Sequence, residues 1–211
     1  STQGSCRDRH CLTPSVCTAL KPDHSRQIRL LQKLRRIRGI KKIFVASGIR
    51  YDLLLADEQY GESYLNEIAC HHVSGQLKVA PEHSEGKLLK LMGKPVISGL
   101  LRFKDTFDRL SLAAGKNQFL TYYFIAAHPG CSLNDMKTLK QFVSRNLKTN
   151  PEQIQIFLPA PSTWSSVMYH TGRNPFTGNR LFVEKGLKNK KAQKDILFSR
   201  DFKTVKQKQK H

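Results

Sequence analysis

Three cysteines near the start of the chain are the residues best suited to hold a metal. Cys6, Cys11 and Cys17 are spaced C-x4-C-x5-C, with His10 beside the second cysteine. Zinc takes four tetrahedral ligands and iron-sulfur clusters take thiolates, so three cysteines with His10, or three cysteines with an open iron, are both chemically reasonable. The spacing lacks the CxxC pairs of a zinc ribbon. The alternative is that these are ordinary buried or exposed thiols.

Cysteine usage also indicates where the protein works. The chain has five cysteines, an odd number, and Cys70 and Cys131 stand apart from the cluster near the start, so they do not form a disulfide framework. No signal-like apolar segment occurs at the start, and the reducing cytoplasm is therefore the expected location. The longest apolar run, residues 119 to 127, is far shorter than the roughly 18 residues that cross a bilayer. We expect no membrane partner.

A second group of reactive side chains lies where predicted strands end. Lys78, Glu82 and His83 fall at the end of one strand and in the loop after it, and His128 lies in the corresponding loop one strand later. Such groups could hydrogen-bond ribose hydroxyls or act in acid-base chemistry. For any one of them a structural hydrogen bond is the simpler interpretation. Their common position after successive strands favours a functional site.

Apolar periodicity predicts the elements that would place these groups. Short β-rich runs predict strands over residues 42–47, 76–80, 119–127 and 153–158. Helical spacing predicts helices over residues 25–38, 61–72, 84–92, 99–114 and 132–146. This alternation predicts an α/β fold with a parallel sheet, in which the loops after the strands share one face. Four strands cannot close a barrel, so we expect the chain to be part of a larger sheet.

The charge of the chain favours a polyanionic partner. Lys and Arg number 36 against 16 Asp and Glu, giving a net charge of +20. Residues 180–211 carry eleven Lys and Arg against three acidic residues, and a solvated, partly disordered tail is one interpretation of that segment. The basic first helix is either a solvated face or a phosphate-binding one. RNA is a reasonable partner.

Aromatic residues alternate with arginines shortly before that tail. Trp164, Tyr169 and Phe176 are interleaved with Arg173 and Arg180. This combination can stack nucleic-acid bases, although Trp164 and Tyr169 could equally belong to the core.

Several uncommon strings occur together and in order. They are IKKIFVASGIRYDLLL, HHVSGQLKVAPEHSEGKLLKLMGKP, YYFIAAHPGCSLNDM, QIQIFLPAPST followed by MYHTGRNP, and EKGLKNKKAQKDIL. From about Cys6 to Phe198, the chain resembles the second half of the YgiQ family of radical S-adenosylmethionine (SAM) proteins. The resemblance implies the second half of a partial (β/α)6 TIM-like barrel. It also implies a 4Fe-4S cluster and SAM as cofactors, with cleavage of SAM to a 5′-deoxyadenosyl radical.

The resemblance also assigns roles to particular residues. APEHSEGKLLKLMGKP resembles the segment that meets the SAM ribose, which implies that role for Glu82, with Lys78 as a second candidate and His83 beside them. FIAAHPG resembles the motif that lays backbone against adenine, here Ala127 and His128, with Ala127 in place of the usual Gly and Cys131 where an acidic residue or Thr is common. FLPAPST resembles the adenine-contacting edge of the last strand, at Pro159.

One departure from the family is an absence, because no C-x3-C-x2-C motif occurs in the sequence. Cys6, Cys11 and Cys17 resemble instead an additional cysteine cluster that the family carries further along the chain. The ligands of the main cluster are then expected before Ser1, and the isolated chain is expected to be inactive. The predicted organisation is a Cys-rich segment (1–24), a barrel half (25–170) and a basic extension (171–211). The rival hypothesis is a non-catalytic RNA-binding module with a zinc-stabilised N-terminus.

Overall fold

The structure is a computed structural model that describes residues 6, 11–12, 16–149, 151 and 153–198. Its elements, in chain order, are α1 (Ser25–Arg35), α2 (Tyr51–Ala56), α3 (Gly61–His71), β1 (Gln76–Glu82), α4 (Gly86–Met92), α5 (Ser98–Ala113), β2 (Phe119–Ala126), α6 (Leu133–Phe142), a π-helical turn (Val143–Leu147), β3 (Gln153–Ile156), α7 (Trp164–Thr171) and α8 (Leu187–Phe198).

Two units divide the chain between Phe124 and Ile125. The first contains α1 to α5, β1 and most of β2, and its core is formed by α2, α3 and α5, which contact one another. The second contains α6 to α8 and β3, and α8 packs against both α6 and β3. The boundaries predicted at residues 24/25 and 170/171 stay predictions.

A three-stranded parallel sheet in the order β1-β2-β3 confirms the predicted α/β class. Leu77 of β1 is level with Leu120 of β2, and Val79 with Tyr122, so the buried residues of the two strands lie on one face. The other face carries Lys78 level with Thr121, and there the side chains are exposed or half-buried. The sheet of the first unit is therefore covered on one face and open on the other.

The predicted strand over residues 42–47 is not a regular strand. Within it the Val45 N–H donates to the His72 carbonyl at 2.9 Å, and just after it the Ile49 N–H donates to the Lys78 carbonyl at 3.0 Å. Ile49 forms an isolated parallel bridge with Val79. Phe44 is half exposed, so the apolar run is not the buried strand that its composition suggested.

The helix predicted over residues 84–92 starts two residues later than Ser84. α4 begins at Gly86, and its N-cap residue, Glu85, makes no side-chain capping hydrogen bond. The helix over residues 132–146 begins as predicted, because Ser132 and Asp135 form a reciprocal capping box. It changes to π-helical geometry at Val143.

Part of the predicted basic extension is helical. α8 buries Gln193 and Leu197, while its lysines are exposed or half-buried. Its high charge predicted a solvated segment, but the helix packs against α6 and β3 within the second unit. Residues 199–211, including the KTVKQKQKH end, lie outside the described residues. None of the described helices is both long and apolar enough to cross a membrane.

Candidate functional site

Glu82 ends β1 in an uncommon backbone conformation. A register shift between Val79 and Glu82 inserts an extra residue into β1, and Glu82 has a φ of 67°. A positive φ is costly for a residue with a side chain, and such residues often mark functional positions. The Glu82 carboxylate forms an ion pair with Lys94, with Oε1 2.6 Å from Nζ. The turn therefore presents a carboxylate whose orientation is fixed by a cation.

The neighbouring predicted residues lie on either side of this turn. The Lys78 side chain is exposed on the open face of the sheet, while the Lys78 carbonyl accepts the Ile49 N–H at 3.0 Å. His83 is fully buried, and its Nδ1 accepts the Glu85 N–H at 3.0 Å. Since Nδ1 is an acceptor there, His83 holds the loop after Glu82 in place. Its predicted role in acid-base chemistry stays a prediction.

Arg50 and Asp52 form an ion pair near Glu82 that sequence reasoning did not select. The Arg50 guanidinium donates from Nε to one Asp52 oxygen at 2.9 Å and from Nη2 to the other. Burial raises the pKa of Asp52, but the hydrogen bonds and charge of Arg50 outweigh it and hold that pKa below its usual range. Tyr51 lies between them in sequence, and its buried hydroxyl has no hydrogen-bond partner among the described residues. The only sequence signal was a polar pair in the loop SGIRYD.

His128 lies in the second unit with both ring nitrogens engaged. Nδ1 is 2.8 Å from the Pro129 carbonyl and Nε2 is 2.8 Å from the Ser165 hydroxyl. A carbonyl can only accept, so Nδ1 carries the proton and Nε2 accepts from Ser165. Burial lowers the pKa of His128 to about 4, although the bond to Pro129 opposes that change. The imidazole is therefore neutral near pH 7.

Ala127 repeats the feature seen at Glu82, because it follows a strand with a positive φ of 58°. Its N–H donates to Oε1 of Gln193 on α8 at 2.9 Å, and the same amide side chain donates to the Cys131 carbonyl at 3.2 Å. Gln193 is 1% exposed. The loop HPGC is thus fixed by a side chain more than 60 residues away, which no local pattern could have revealed.

Pro159 is exposed and lies in the loop after β3. The next residue, Ala160, accepts hydrogen bonds at its carbonyl from the hydroxyls of Thr163 and Ser166 at 2.9 and 2.6 Å. Thr163 also caps α7 by accepting the Ser166 N–H. The loop after β3 is therefore ordered by the start of α7.

The N-terminal cysteines are free thiols. Cys6 and Cys11 are exposed and Cys17 is half-buried, and the Cys17 N–H donates to the Cys11 carbonyl at 2.8 Å. Across the described residues, which include these three, no group of three His, Cys, Asp or Glu side chains is placed to hold a metal. His10 lies outside the described residues. The metal centre stays a prediction.

The chain is similar to UPF0313 proteins over nearly all of its length. It is 54% identical over 194 residues to UPF0313 protein FN0734 of Fusobacterium nucleatum subsp. nucleatum, covering 92% of the chain and 34% of that protein.

Two further UPF0313 relatives come from other organisms. The UPF0313 protein of Methanocella arvoryzae is 45% identical over 197 residues, covering 93% of the chain and 32% of that protein. The UPF0313 protein of Thermotoga neapolitana is 40% identical over 200 residues, covering 94% of the chain and 35% of that protein. A family model described as "Domain of unknown function (DUF3362)" matches residues 152–204. The chain spans about a third of the length of the curated relatives it matches.

Proposed function

We propose that this chain forms the later part of the SAM-binding barrel of a radical SAM protein. The observation that carries the proposal is a parallel sheet that is open on one face, with positive φ at Glu82 and Ala127, where two of its strands end. Parallel sheets are ordinarily covered on both faces, either by helices or by closure into a barrel. An open face therefore favours a sheet that is completed by further structure.

The open face carries a polar group that lacks a partner. Thr121 is level with Lys78 in the β1–β2 pair, and its buried hydroxyl has no hydrogen-bond partner among the described residues. Leaving a buried hydroxyl unpaired costs roughly 1 to 3 kcal/mol, so such atoms usually meet a ligand, water or another segment. This fits a face that binds something in the working protein.

In the first unit, Glu82 is proposed to bind the ribose of SAM. Lys94 holds one carboxylate oxygen, and a carboxylate has two oxygens with two lone pairs each, so the group can accept further hydrogen bonds from vicinal hydroxyls. The resemblance to the family assigns the same role to this position. Lys94 would act as a positioning residue, since it orients the carboxylate without contacting the ligand.

In the second unit, the backbone at Ala127 and His128 and the loop at Pro159 are proposed to meet adenine. Gln193 fixes the Ala127 peptide, and neutral His128 is held by Ser165, so the peptide groups of this loop are preorganised. A bound 4Fe-4S cluster would supply the electron that cleaves SAM to methionine and a 5′-deoxyadenosyl radical. We propose that the cluster ligands belong to a part of the protein outside these 211 residues, since the relatives are about three times as long.

Measuring SAM affinity for the Glu82→Ala variant tests the proposal. In a protein of the relatives' length that contains this chain, titration calorimetry should show that Glu82→Ala weakens SAM binding by about 1 to 3 kcal/mol, since ribose hydroxyls lose a charged acceptor. Lys94→Ala should weaken it less, because the carboxylate remains.

The matched control is Glu62→Ala, which removes an exposed carboxylate that pairs with Arg109 in the same unit. This variant should bind SAM as the parent does. Equal SAM affinity of Glu82→Ala and the parent would remove Glu82 from the site.

A further inference from the structure

An exposed pair of aromatic rings lies on the second unit, outside the residues assigned above. Trp164 is 51% exposed and Phe176 is 58% exposed, and their ring centroids are 5.1 Å apart at an angle of 59°. Together with the exposed Arg173 and Arg180 they form what we call the Trp164 surface. Two large contacting rings that remain this exposed indicate a binding surface.

The turn that carries Phe176 is well ordered. Arg173 and Arg180 form an antiparallel bridge, the Asn174 N–H donates to the Asn179 carbonyl at 2.8 Å, and the Phe176 N–H donates to the Asn174 side chain at 2.9 Å. Gly178 provides the positive φ, 73°, that closes the turn. A ligand would therefore meet a ring that is already in place, which lowers the ordering cost of binding.

Trp164 is fixed by the start of α7. The helix is capped by Thr163, whose hydroxyl accepts the Ser166 N–H at 3.2 Å. Both rings are thus presented by backbone that is held by hydrogen bonds at short sequence distance.

The segment that carries these rings has a strongly positive net charge. Residues 164–198 carry seven Lys and Arg against Glu184 and Asp195. Lys185 and Lys190 are engaged with the Tyr169 ring, at 3.8 and 4.8 Å from its centroid. Arg173 donates one hydrogen bond to the Gly178 carbonyl at 3.0 Å, and a guanidinium has five donors, so it can also bind phosphate.

We propose that the Trp164 surface binds single-stranded nucleic acid with little sequence preference. Unpaired bases stack on Trp164 and Phe176, and the flanking phosphates contact Arg173 and Arg180. Flat exposed rings beside arginines suit unstacked bases rather than a duplex, whose bases are already stacked. An apolar protein partner would suit the rings, but the surrounding positive charge favours a polyanion. The inference does not depend on SAM binding.

The protein carries its own probe at this surface, because Trp164 is the single tryptophan of the chain. Titration of the full 211-residue chain with a 12-nucleotide oligouridylate at low salt should quench Trp164 fluorescence as bases stack on the ring. Heparin, a polyanion without bases, should bind without that quenching. Equal quenching by heparin and by the oligonucleotide, or no quenching by the oligonucleotide, would overturn the proposal.

Substituting one of the two exposed rings tests whether stacking contributes to binding. Phe176→Ala should weaken oligouridylate binding about tenfold, within the range expected for loss of one stacking partner. The matched control is Phe119→Ala, because Phe119 is 54% exposed but lies in the first unit. Circular dichroism should show that both variants keep the fold of the parent. Unchanged affinity of Phe176→Ala, or equal weakening by the control, contradicts the assignment.

Arg180→Gln should lower the slope of log K against log salt by about one, since one phosphate contact and its counterion release are lost. Arg102→Gln, an exposed arginine of α5 in the first unit, should leave the slope unchanged. Equal effects of the two substitutions would mean that binding depends on net charge rather than on the Trp164 surface, and would contradict the proposal.

Discussion

His128 is held neutral by its surroundings, and its two hydrogen bonds fix which nitrogen carries the proton. The Pro129 carbonyl requires Nδ1–H, so the Ser165 hydroxyl must donate to Nε2. Protonation at Nε2 would place a positive charge in a site that is 2% exposed, where little water can solvate it. The same side chain links the loop after β2 to α7, and burial keeps it uncharged near pH 7.

This arrangement predicts an acid-dependent loss of stability. Burial lowers the pKa of His128 to about 4 from 6.5, so as the pH falls below 6.5 the unfolded chain binds a proton before the folded chain does. The stability that the neutral form contributes is full above 6.5 and is lost progressively toward pH 4. Between pH 7 and pH 4.5 the free energy of unfolding should fall by about 2 kcal/mol from this group alone.

Urea unfolding of the parent and of His128→Gln at the two pH values measures that contribution. The difference in unfolding free energy between pH 7 and pH 4.5 should be smaller in the variant by about 2 kcal/mol. His170→Gln, which removes an exposed histidine of α7, should retain the dependence of the parent. The same pH dependence in the parent and in His128→Gln would show that His128 is not the group responsible.

α8 is the element that fixes the loop after β2, through one buried amide. Gln193 accepts from the Ala127 N–H and donates to the Cys131 carbonyl, so its loss removes both bonds and leaves the buried Ala127 donor without its side-chain acceptor. Gln193→Met conserves the length of the side chain and should cost about 2 kcal/mol or more. Urea unfolding measures the cost, and hydrogen exchange of the Ala127 amide should accelerate correspondingly.

Asn189→Ala on the same helix is the control for that prediction. Asn189 is exposed, so the substitution should change the unfolding free energy by less than about 0.5 kcal/mol. Equal stability of Gln193→Met and Asn189→Ala would show that α8 does not hold the loop.

Elements with a strong hydrophobic periodicity were predictable from the sequence. Elements that depend on contacts with residues far along the chain were not. β2 alternates buried and half-buried residues, and α5 buries Phe103, Phe107 and Leu110 on one face, so both follow from the sequence with nearly the observed bounds. The run over residues 42–47 has strand composition but lacks a continuous ladder. α8 has many lysines and only two buried positions, the polar Gln193 and the apolar Leu197, so it shows no clear apolar stripe in the sequence.

Some residues of the candidate site were likewise predictable from the sequence, and others were not. Glu82 and His128 could be selected because each follows a predicted strand. Lys94, Ser165 and Gln193, which fix these loops, could not be selected, because each contact depends on tertiary packing between residues 12 to 66 positions apart. The positive φ values at Glu82 and Ala127 also have no local signal, since neither residue is a glycine.

Each of the two units of the molecule exposes a surface that could bind a further segment or ligand. The sheet of the first unit is open on the face of Lys78 and Thr121, and the second unit exposes the rings of Trp164 and Phe176 in a basic setting. The open face suits closure into a barrel, whereas the basic aromatic surface suits a polyanion. Since the chain spans about a third of its relatives' length, the proposed SAM chemistry belongs to the longer protein.

We propose that this chain supplies SAM-binding residues but not the cluster that cleaves SAM. Anaerobic incubation with dithionite and SAM, after reconstitution with iron and sulfide, tests it through the formation of 5′-deoxyadenosine. We expect 5′-deoxyadenosine from a protein of the relatives' length that contains this chain, and none from the 211-residue chain. Turnover by the 211-residue chain would show that Cys6, Cys11 and Cys17 form the radical cluster, and absence of turnover in the longer protein carrying a verified 4Fe-4S cluster would contradict the radical SAM assignment itself.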